Sequence, residues 1–138
     1  MAKTVCVCLS ATIQKTIVFS TLEKDAVNRS DGYRLDASGK AVNAARVMCQ
    51  LAPDSAVAVV PLGEDNAETF LALAAADSVQ ISWVPVPGRT RYCYTLLERG
   101  ALRGALRGAN RSVTELVVGE PGESADYGAI AESLLDLV

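Results

Sequence analysis

Residues 36–50 read Asp36-Ala-Ser-Gly-Lys-Ala-Val-Asn-Ala-Ala-Arg-Val-Met-Cys-Gln50, a short polar turn followed by a helical pattern. The apolar residues that recur at three- and four-residue spacing are Val42, Ala45, Met48, Cys49 and Ala52. Because the first amides of a helix lack internal partners and its dipole favours anions, Gly39, Lys40 and Asn43 suit a phosphate or sugar hydroxyls. The alternative is a helix capped by Ser38, with one surface lysine.

The composition is that of a folded, soluble domain. The chain has 138 residues, of which 50% are hydrophobic and 21% charged. Its net charge of −3 argues against nucleic acid as the main partner, because no net basic charge can hold a phosphate backbone. No apolar run reaches the roughly 20 residues that span a bilayer. The N-terminal residues, Met1-Ala-Lys-Thr, do not begin a signal-peptide pattern. We therefore expect a cytoplasmic protein with no membrane and no nucleic-acid partner.

The chain contains no histidine, which excludes His-based catalytic triads and His-containing zinc sites. Its cysteines are Cys6, Cys8, Cys49 and Cys93. Cys6 and Cys8 share one face of a predicted strand, but the other two form no second close pair. Buried, reduced thiols are therefore favoured over a zinc or disulfide framework, and we expect no metal site.

Strand and helix patterns alternate along most of the chain. Apolar runs typical of buried strands occupy residues 4–9 and 56–60, and residues 79–84 alternate between apolar and polar as a strand. A helix is predicted from Asn66 to Ala76, with Asp65 as its cap; the residues predicted to face inward are Phe70, Leu71 and Ala74. A last helix is predicted to begin at Ser124 or Asp126 and to carry Ile130, Leu134 and Leu137. This alternation predicts an α/β fold with a mainly parallel sheet.

Two segments, at about 15–36 and 90–118, break this alternation and predict a small β-sheet beside the main one. Their strand patterns lie at residues 16–19, 27–29, 33–35, 92–97 and 112–118. Residues 99–111 repeat Arg-Gly-Ala-Leu, which spaces four arginines four apart. A basic helical stripe is disfavoured, since each glycine costs about 1 kcal/mol relative to alanine in a helix. A flexible hairpin loop lengthened by repetition is the preferred interpretation, and a site for an anion or an acidic partner is the alternative.

Segments in four places carry a likeness to one family, and they occur in that family's order. They are Val27-Asn-Arg29, Ala37-Ser-Gly-Lys-Ala-Val-Asn-Ala-Ala-Arg-Val47, Thr90-Arg91, and Thr114-Glu-Leu with Glu120-Pro-Gly122. They resemble the Val-x-Arg, Gly-Gly-Lys-Gly-x-Asn-x-Ala-Arg-Val, Thr-Arg and Thr-Glu-(Ile/Leu)…Pro-Gly elements of the PfkB (ribokinase-like) carbohydrate kinases. The match is to the N-terminal half, closest to the branch of 1-phosphofructokinase and tagatose-6-phosphate kinase.

The resemblance implies the N-terminal part of a ribokinase-like three-layer α/β/α sandwich with a small β-sheet lid over the sugar. By the family's pattern, the residues that would hold sugar hydroxyls and phosphate are Ser38, Gly39, Lys40 and Asn43. Arg29 and Arg91 would bind the phosphate already on the substrate, because guanidinium groups suit bidentate phosphate recognition. Arg89 is a further candidate by proximity. The lid of relatives often forms a dimer contact, so the resemblance implies a homodimer.

Departures from the family pattern concern the substrate. The loop after the first strand reads Ser10-Ala-Thr-Ile-Gln14 where the family has Asn-Pro-x-x-Asp. Gln14 can still hydrogen-bond a sugar hydroxyl, but it brings no charge. Ser38 and Ala41 stand where the family has glycines. The implied substrate is a phosphohexose such as fructose 1-phosphate or tagatose 6-phosphate.

The family's catalytic Asp and nucleotide pocket lie in its second half, which has no counterpart in this sequence. ATP and Mg²⁺ are implied for the complete kinase, but we expect neither to bind this chain alone and expect it to carry no catalytic residue. We therefore expect the substrate-binding half of a truncated or split kinase, not competent for phosphoryl transfer by itself, with a complementary C-terminal half as a second possible partner. The alternative is a non-catalytic sugar-phosphate-binding or dimerisation protein derived from the same fold.

Overall fold

A computed structural model describes residues 3–30, 32–98, 113–118 and 127–136 of the chain. Its elements are β1 (Thr4–Val7), β2 (Thr12–Phe19), β3 (Tyr33–Ser38), α1 (Lys40–Leu51), β4 (Ala56–Gly63), α2 (Ala67–Ala76), β5 (Gln80–Val86), β6 (Tyr92–Glu98), β7 (Val113–Val117) and α3 (Tyr127–Leu135). The chain forms two compact units. The first unit comprises Met1–Ile13, Asp36–Arg91 and Gly119–Val138, and the second unit comprises Gln14–Leu35 and Tyr92–Val118.

The first unit contains a parallel sheet in the order β1-β4-β5. Thr4 pairs with Ala56 in β4, and Val57 of β4 pairs with Gln80 in β5. Residues 56–60 of the central strand are buried, as their apolar run predicts. The predicted parallel α/β pattern is therefore confirmed.

The first strand is shorter and more exposed than its sequence predicts. It ends at Val7 and lies at the edge of the sheet formed by the described strands. Val7 and Leu9 are consequently 42% and 52% exposed. The prediction of a fully buried strand over residues 4–9 is wrong, because an apolar run alone does not distinguish a central strand from an edge strand.

Each helix of the first unit covers part of the parallel sheet. Helix α1 packs on β1 and β4, α2 packs on β5, and α3 packs on β4 and β5. The buried residues of α1 are Val42, Ala45 and Cys49, whereas Met48 remains 37% exposed. In α3, Ile130 packs with Val59 and Val84. The helices therefore supply apolar faces to the sheet as their periodicity predicts.

The ends of two helices differ from the sequence predictions. Helix α1 follows Gly39 and has no side-chain cap, so the Ser38-capped alternative does not form. Helix α2 follows Asn66, also without a side-chain cap. Asp65, the predicted cap, instead places a carboxylate oxygen 3.7 Å from Nε of Arg89. Within α2, Phe70 and Ala74 are buried as predicted, and Leu71 is half-buried.

A second sheet has the order β3-β2-β6-β7, in which β6 and β7 are antiparallel. The predicted strand at 16–19 is confirmed but begins earlier, at Thr12. The predicted strand at 27–29 does not form. There, Asn28 accepts a hydrogen bond from the Glu23 backbone nitrogen (2.8 Å) and donates one to the Glu23 carbonyl (2.7 Å). These bonds close a loop in place of a strand.

Several predicted features fall outside the described residues. They are the repeat at 99–111, the Glu120-Pro-Gly122 turn, the start of the last helix and Leu137.

The four cysteines are free thiols, of which Cys6 is half-buried and the others buried. Burial, with a smaller contribution from Cys49, raises the pKa of Cys6. Among the helices described, none is long and apolar enough to cross a membrane.

Candidate functional site

The start of α1 lies against the loop that follows β1. Gly39 has φ 133° and ψ 146°, a backbone conformation that side chains other than glycine rarely adopt. A Cβ atom at Gly39 would lie 2.6 Å from Sγ of Cys8 and 3.4 Å from the carbonyl oxygen of Ser10. Glycine is therefore required here both for the positive φ and for the close approach of the loop after β1.

Polar groups gather on the first turn of α1. Lys40 is the first helical residue, and its exposed side chain leaves the ammonium group accessible to an anion. The backbone nitrogen of Asn43 donates to the Gly39 carbonyl (2.8 Å), and its side-chain nitrogen donates to Oγ of Ser38 (3.4 Å). The structure therefore brings together Ser38, Gly39, Lys40 and Asn43.

Arg46 fixes the side chain of Asn43, a role that the sequence analysis missed. Its Nη1 donates to Oδ1 of Asn43 (2.6 Å), its Nε donates to Oδ2 of Asp77 (3.0 Å), and its Nη2 donates to the carbonyl of Ala37. Because Arg46 occupies the amide oxygen, Asn43 presents its NH₂ group as a donor. The three-residue spacing from Asn43 to Arg46 on one helix is the sequence signal that could have indicated this pair.

The backbone of Arg91 is held by the segment between β1 and β2. Its carbonyl accepts hydrogen bonds from the backbone nitrogen of Ile13 (2.9 Å) and from Oγ1 of Thr12 (3.1 Å). Ala11, which lies against Gly39, is two residues from Ile13, or about 7 Å along an extended strand. One short segment of the first unit thus contacts both the start of α1 and Arg91.

The Arg91 side chain is half-buried, and its Nε is a buried donor without a hydrogen-bond partner among the described residues. A buried donor that stays unpaired costs free energy, so such groups are normally satisfied. An anion bound to the guanidinium would satisfy it. Arg89 differs, because it is exposed and faces Asp65.

The remaining predicted residues belong to the second unit. Gln14 is half-buried on β2, and its Nε2 donates to Oγ1 of Thr95 on β6 (2.5 Å). Its amide nitrogen is thus engaged in a cross-strand hydrogen bond, while its amide oxygen is an acceptor. Arg29 is exposed in the segment between β2 and β3. The roles of both residues in substrate binding remain predictions from the resemblance.

A depression of about 310 Å³ lies elsewhere on the first unit, where α1 and α2 end. Its lining residues are Cys49, Gln50, Pro53, Asp54, Asp77 and Ser78. Asp77 is already paired with Arg46, and Asp54 accepts a hydrogen bond from Gln80 (2.6 Å). In the part of the chain that the structure describes, no group of three or more Cys, Asp and Glu residues could hold a metal ion.

Comparison with known proteins shows a family relationship. The model of the pfkB family carbohydrate kinases matches residues 3–116. The chain is 29% identical over 133 residues to a 1-phosphofructokinase of Rhodobacter capsulatus, with 96% of this chain and 39% of that protein covered. It therefore spans about two fifths of the length of this relative.

Solved structures show the same fold. Phosphofructokinase-2 from Escherichia coli, in complex with fructose-6-phosphate, aligns with a TM-score of 0.78 and 17% identity over 99% of this chain and 42% of that one. A ribokinase from Thermotoga maritima aligns with a TM-score of 0.59 and 12% identity over 83% of this chain and 36% of that one. The predicted fold class, a partial ribokinase-like α/β domain, is confirmed.

Proposed function

Because this chain belongs to the pfkB family of carbohydrate kinases, we propose that it is the substrate-binding part of an ATP-dependent sugar-phosphate kinase. The proposed substrate is a phosphohexose such as fructose 1-phosphate or tagatose 6-phosphate. The observation that carries the proposal is the buried Nε of Arg91, a donor that has no partner among the described residues. A substrate phosphate would accept from this guanidinium and satisfy it.

The start of α1 adds donors and positive charge for the same ligand. Lys40 supplies a point charge, and Asn43 supplies an amide donor oriented by Arg46. The first amides of α1 and the helix dipole also favour an anion. Since a sugar phosphate combines an anionic group with several hydroxyls, this set of donors suits it better than a neutral sugar.

Phosphoryl transfer would need more than these residues. ATP and Mg²⁺ are the expected cofactors of the complete kinase, and we place their site, with the catalytic Asp, outside this chain. The chain alone would then bind the sugar phosphate in the cytoplasm without phosphorylating it. The proposal also includes the action of the second unit as a lid and the contacts of Gln14 and Arg29 with the substrate. Individual substitutions test each of these parts.

Titration of the purified chain tests the proposal directly. We expect saturable binding of fructose 1-phosphate or tagatose 6-phosphate by calorimetry, with unphosphorylated fructose as the comparison ligand. Arg91→Ala should weaken binding about 10- to 100-fold, since a hydrogen bond to a charged group contributes about 1.5–3 kcal/mol. Arg89→Ala is the matched control and should change the affinity less than about twofold, because its exposed side chain faces Asp65. Wild-type chain that binds no phosphohexose would contradict the proposal.

The second candidate function is dimerisation, with or without retained sugar-phosphate binding. It is favoured by β7, which lies at the edge of the second sheet among the described strands and whose residues are all exposed, among them Val113 (52%), Leu116 (50%) and Val117 (59%). An exposed apolar edge strand is a template for pairing with another chain. We therefore propose that the chain is a homodimer, with β7 in the contact.

Sedimentation equilibrium tests the dimer. We expect the wild-type chain to have twice its monomer mass, and the double variant Val113→Lys and Val117→Lys to be a monomer, because charges on an edge strand oppose pairing. Val27→Lys is the control, since Val27 is 79% exposed in the same unit but lies outside any strand. A wild-type monomer, or a dimer unaffected by the lysines in β7, would exclude this contact.

A further inference from the structure

Asn66 occupies the N-cap position of α2, yet its side chain does not cap the helix. Its Nδ2 instead donates to the carbonyl of Thr90 (2.9 Å), and its Oδ1 accepts from the backbone nitrogen of Thr90 (2.8 Å). One side-chain amide therefore pairs with both backbone polar groups of a residue that lies 24 positions away. These are the two bonds that a neighbouring strand would otherwise supply.

The side chain of Thr90 is held at the same time. Its Oγ1 accepts a hydrogen bond from the backbone nitrogen of Gly63 (2.9 Å), and Thr90 is only 6% exposed. On either side, Arg89 forms an isolated antiparallel bridge with Glu64, and the carbonyl of Arg91 accepts from Ile13. The backbone from which the Arg91 side chain extends is therefore fixed on both sides.

We propose that Asn66 is a positioning residue that holds Arg91 for binding of the substrate phosphate, an inference that rests on the proposed function above. Asn66 acts through the Thr90 backbone and needs no contact with the ligand. A guanidinium recognises a phosphate through two parallel hydrogen bonds, so its affinity depends on where its Cα is placed. Fixing that backbone before binding removes an ordering cost that the ligand would otherwise carry.

The chemistry of the pairing is specific to an asparagine. Alanine would leave both backbone groups of Thr90 without these partners. Aspartate would keep the acceptor for the Thr90 nitrogen but would place a second acceptor against the Thr90 carbonyl. Protonation of that aspartate would restore a donor. Asn66→Ala and Asn66→Asp therefore remove different parts of the same contact.

A double-mutant cycle tests whether Asn66 acts through Arg91. Fructose 1-phosphate is titrated into the wild-type chain, Asn66→Ala, Arg91→Ala and the double variant, with the folded fraction of each followed by circular dichroism. We expect Asn66→Ala to weaken binding about tenfold when Arg91 is present and less than twofold when it is absent, since the two act as one unit. A purely structural role would lower the affinity by the same factor in both backgrounds, which would overturn the inference.

The outcomes for the inference and for the proposed function are distinct. If the wild-type chain binds no phosphohexose, the proposed function fails and the inference fails with it. If the wild-type chain binds and Arg91→Ala weakens binding, but the effects of Asn66→Ala and Arg91→Ala on the affinity are additive, only the inference fails.

Where Asn66→Ala does not fold, Asn66→Asp replaces it in the cycle. Its affinity relative to wild type should recover as the pH falls from 7 towards the ordinary Asp pKa of about 4, and an unchanged ratio would overturn the inference.

Discussion

Gly63→Ala should lower the free energy of unfolding of the first unit by about 3 kcal/mol or more, the upper end of the cost of overpacking. A Cβ atom at Gly63 would lie 2.5 Å from Cα of Arg89, and still closer to the carbonyl carbon of Arg89 and the nitrogen of Thr90. All of these are backbone atoms, which cannot rotate away as a side chain can. The end of β4 would have to move away from residues 89–90, which breaks the hydrogen bond from the Gly63 nitrogen to Thr90.

Urea denaturation followed by fluorescence measures this effect, because the single tryptophan, Trp83, lies on β5 in the first unit. Gly32→Ala is the matched control, since an added Cβ there would meet nothing within 4 Å. We expect the control to stay within about 0.5 kcal/mol of wild type. An unchanged midpoint for Gly63→Ala would show that the backbones of residues 63 and 89 are not held this closely in solution.

The sequence predicts the elements of this fold better than the contacts between them. Periodicity predicts α1 and the central strand β4 because both depend on which residues are apolar, and this is local information. The prediction of an Asp65 cap is wrong because α2 begins one residue later than predicted, at Ala67, with Asn66 at the N-cap position. The Asp65 carboxylate lies instead 3.7 Å from Arg89, which is 24 residues further along the chain. The prediction of a strand at 27–29 is wrong for a local reason, since the Asn28 side chain forms hydrogen bonds with the backbone of Glu23 and closes a loop.

In the candidate site, too, the sequence predicts local features better than contacts between distant residues. The grouping of Gly39, Lys40 and Asn43 at the start of α1 follows from the helical pattern that begins there, so the sequence suffices for it. Arg91 could be assigned only through the resemblance, because no spacing rule places residue 91 beside residue 13. The role of Asn66 was missed because its partner, Thr90, lies 24 residues away. For Arg46 only the contact with Asp77 is distant, at 31 residues, whereas its contact with Asn43 has a local three-residue spacing.

Gly39→Ala should destabilise the first unit by about 2–4 kcal/mol through two separate costs. The first is the backbone, because φ 133° with ψ 146° is a conformation for which residues other than glycine lose about 1–3 kcal/mol. The second is the contact of the new Cβ with Sγ of Cys8 at 2.6 Å. The next nearest atoms, in Ala11 and Ser10, would lie 3.4 Å away, which is an ordinary contact distance.

Cys8→Ala separates the two costs, because it removes the one atom that overlaps the new Cβ and leaves the backbone unchanged. Urea midpoints of the wild type, both single variants and the double variant give the coupling. We expect the cost of Gly39→Ala to be about 1–2 kcal/mol smaller in the Cys8→Ala background, the size of a relieved overpacking. Equal costs in the two backgrounds would mean that the backbone alone demands a glycine. In that case the loop after β1 would be free to approach α1 more closely or less closely, and the distance between Gly39 and Cys8 would not be what sets the geometry of the proposed phosphate site.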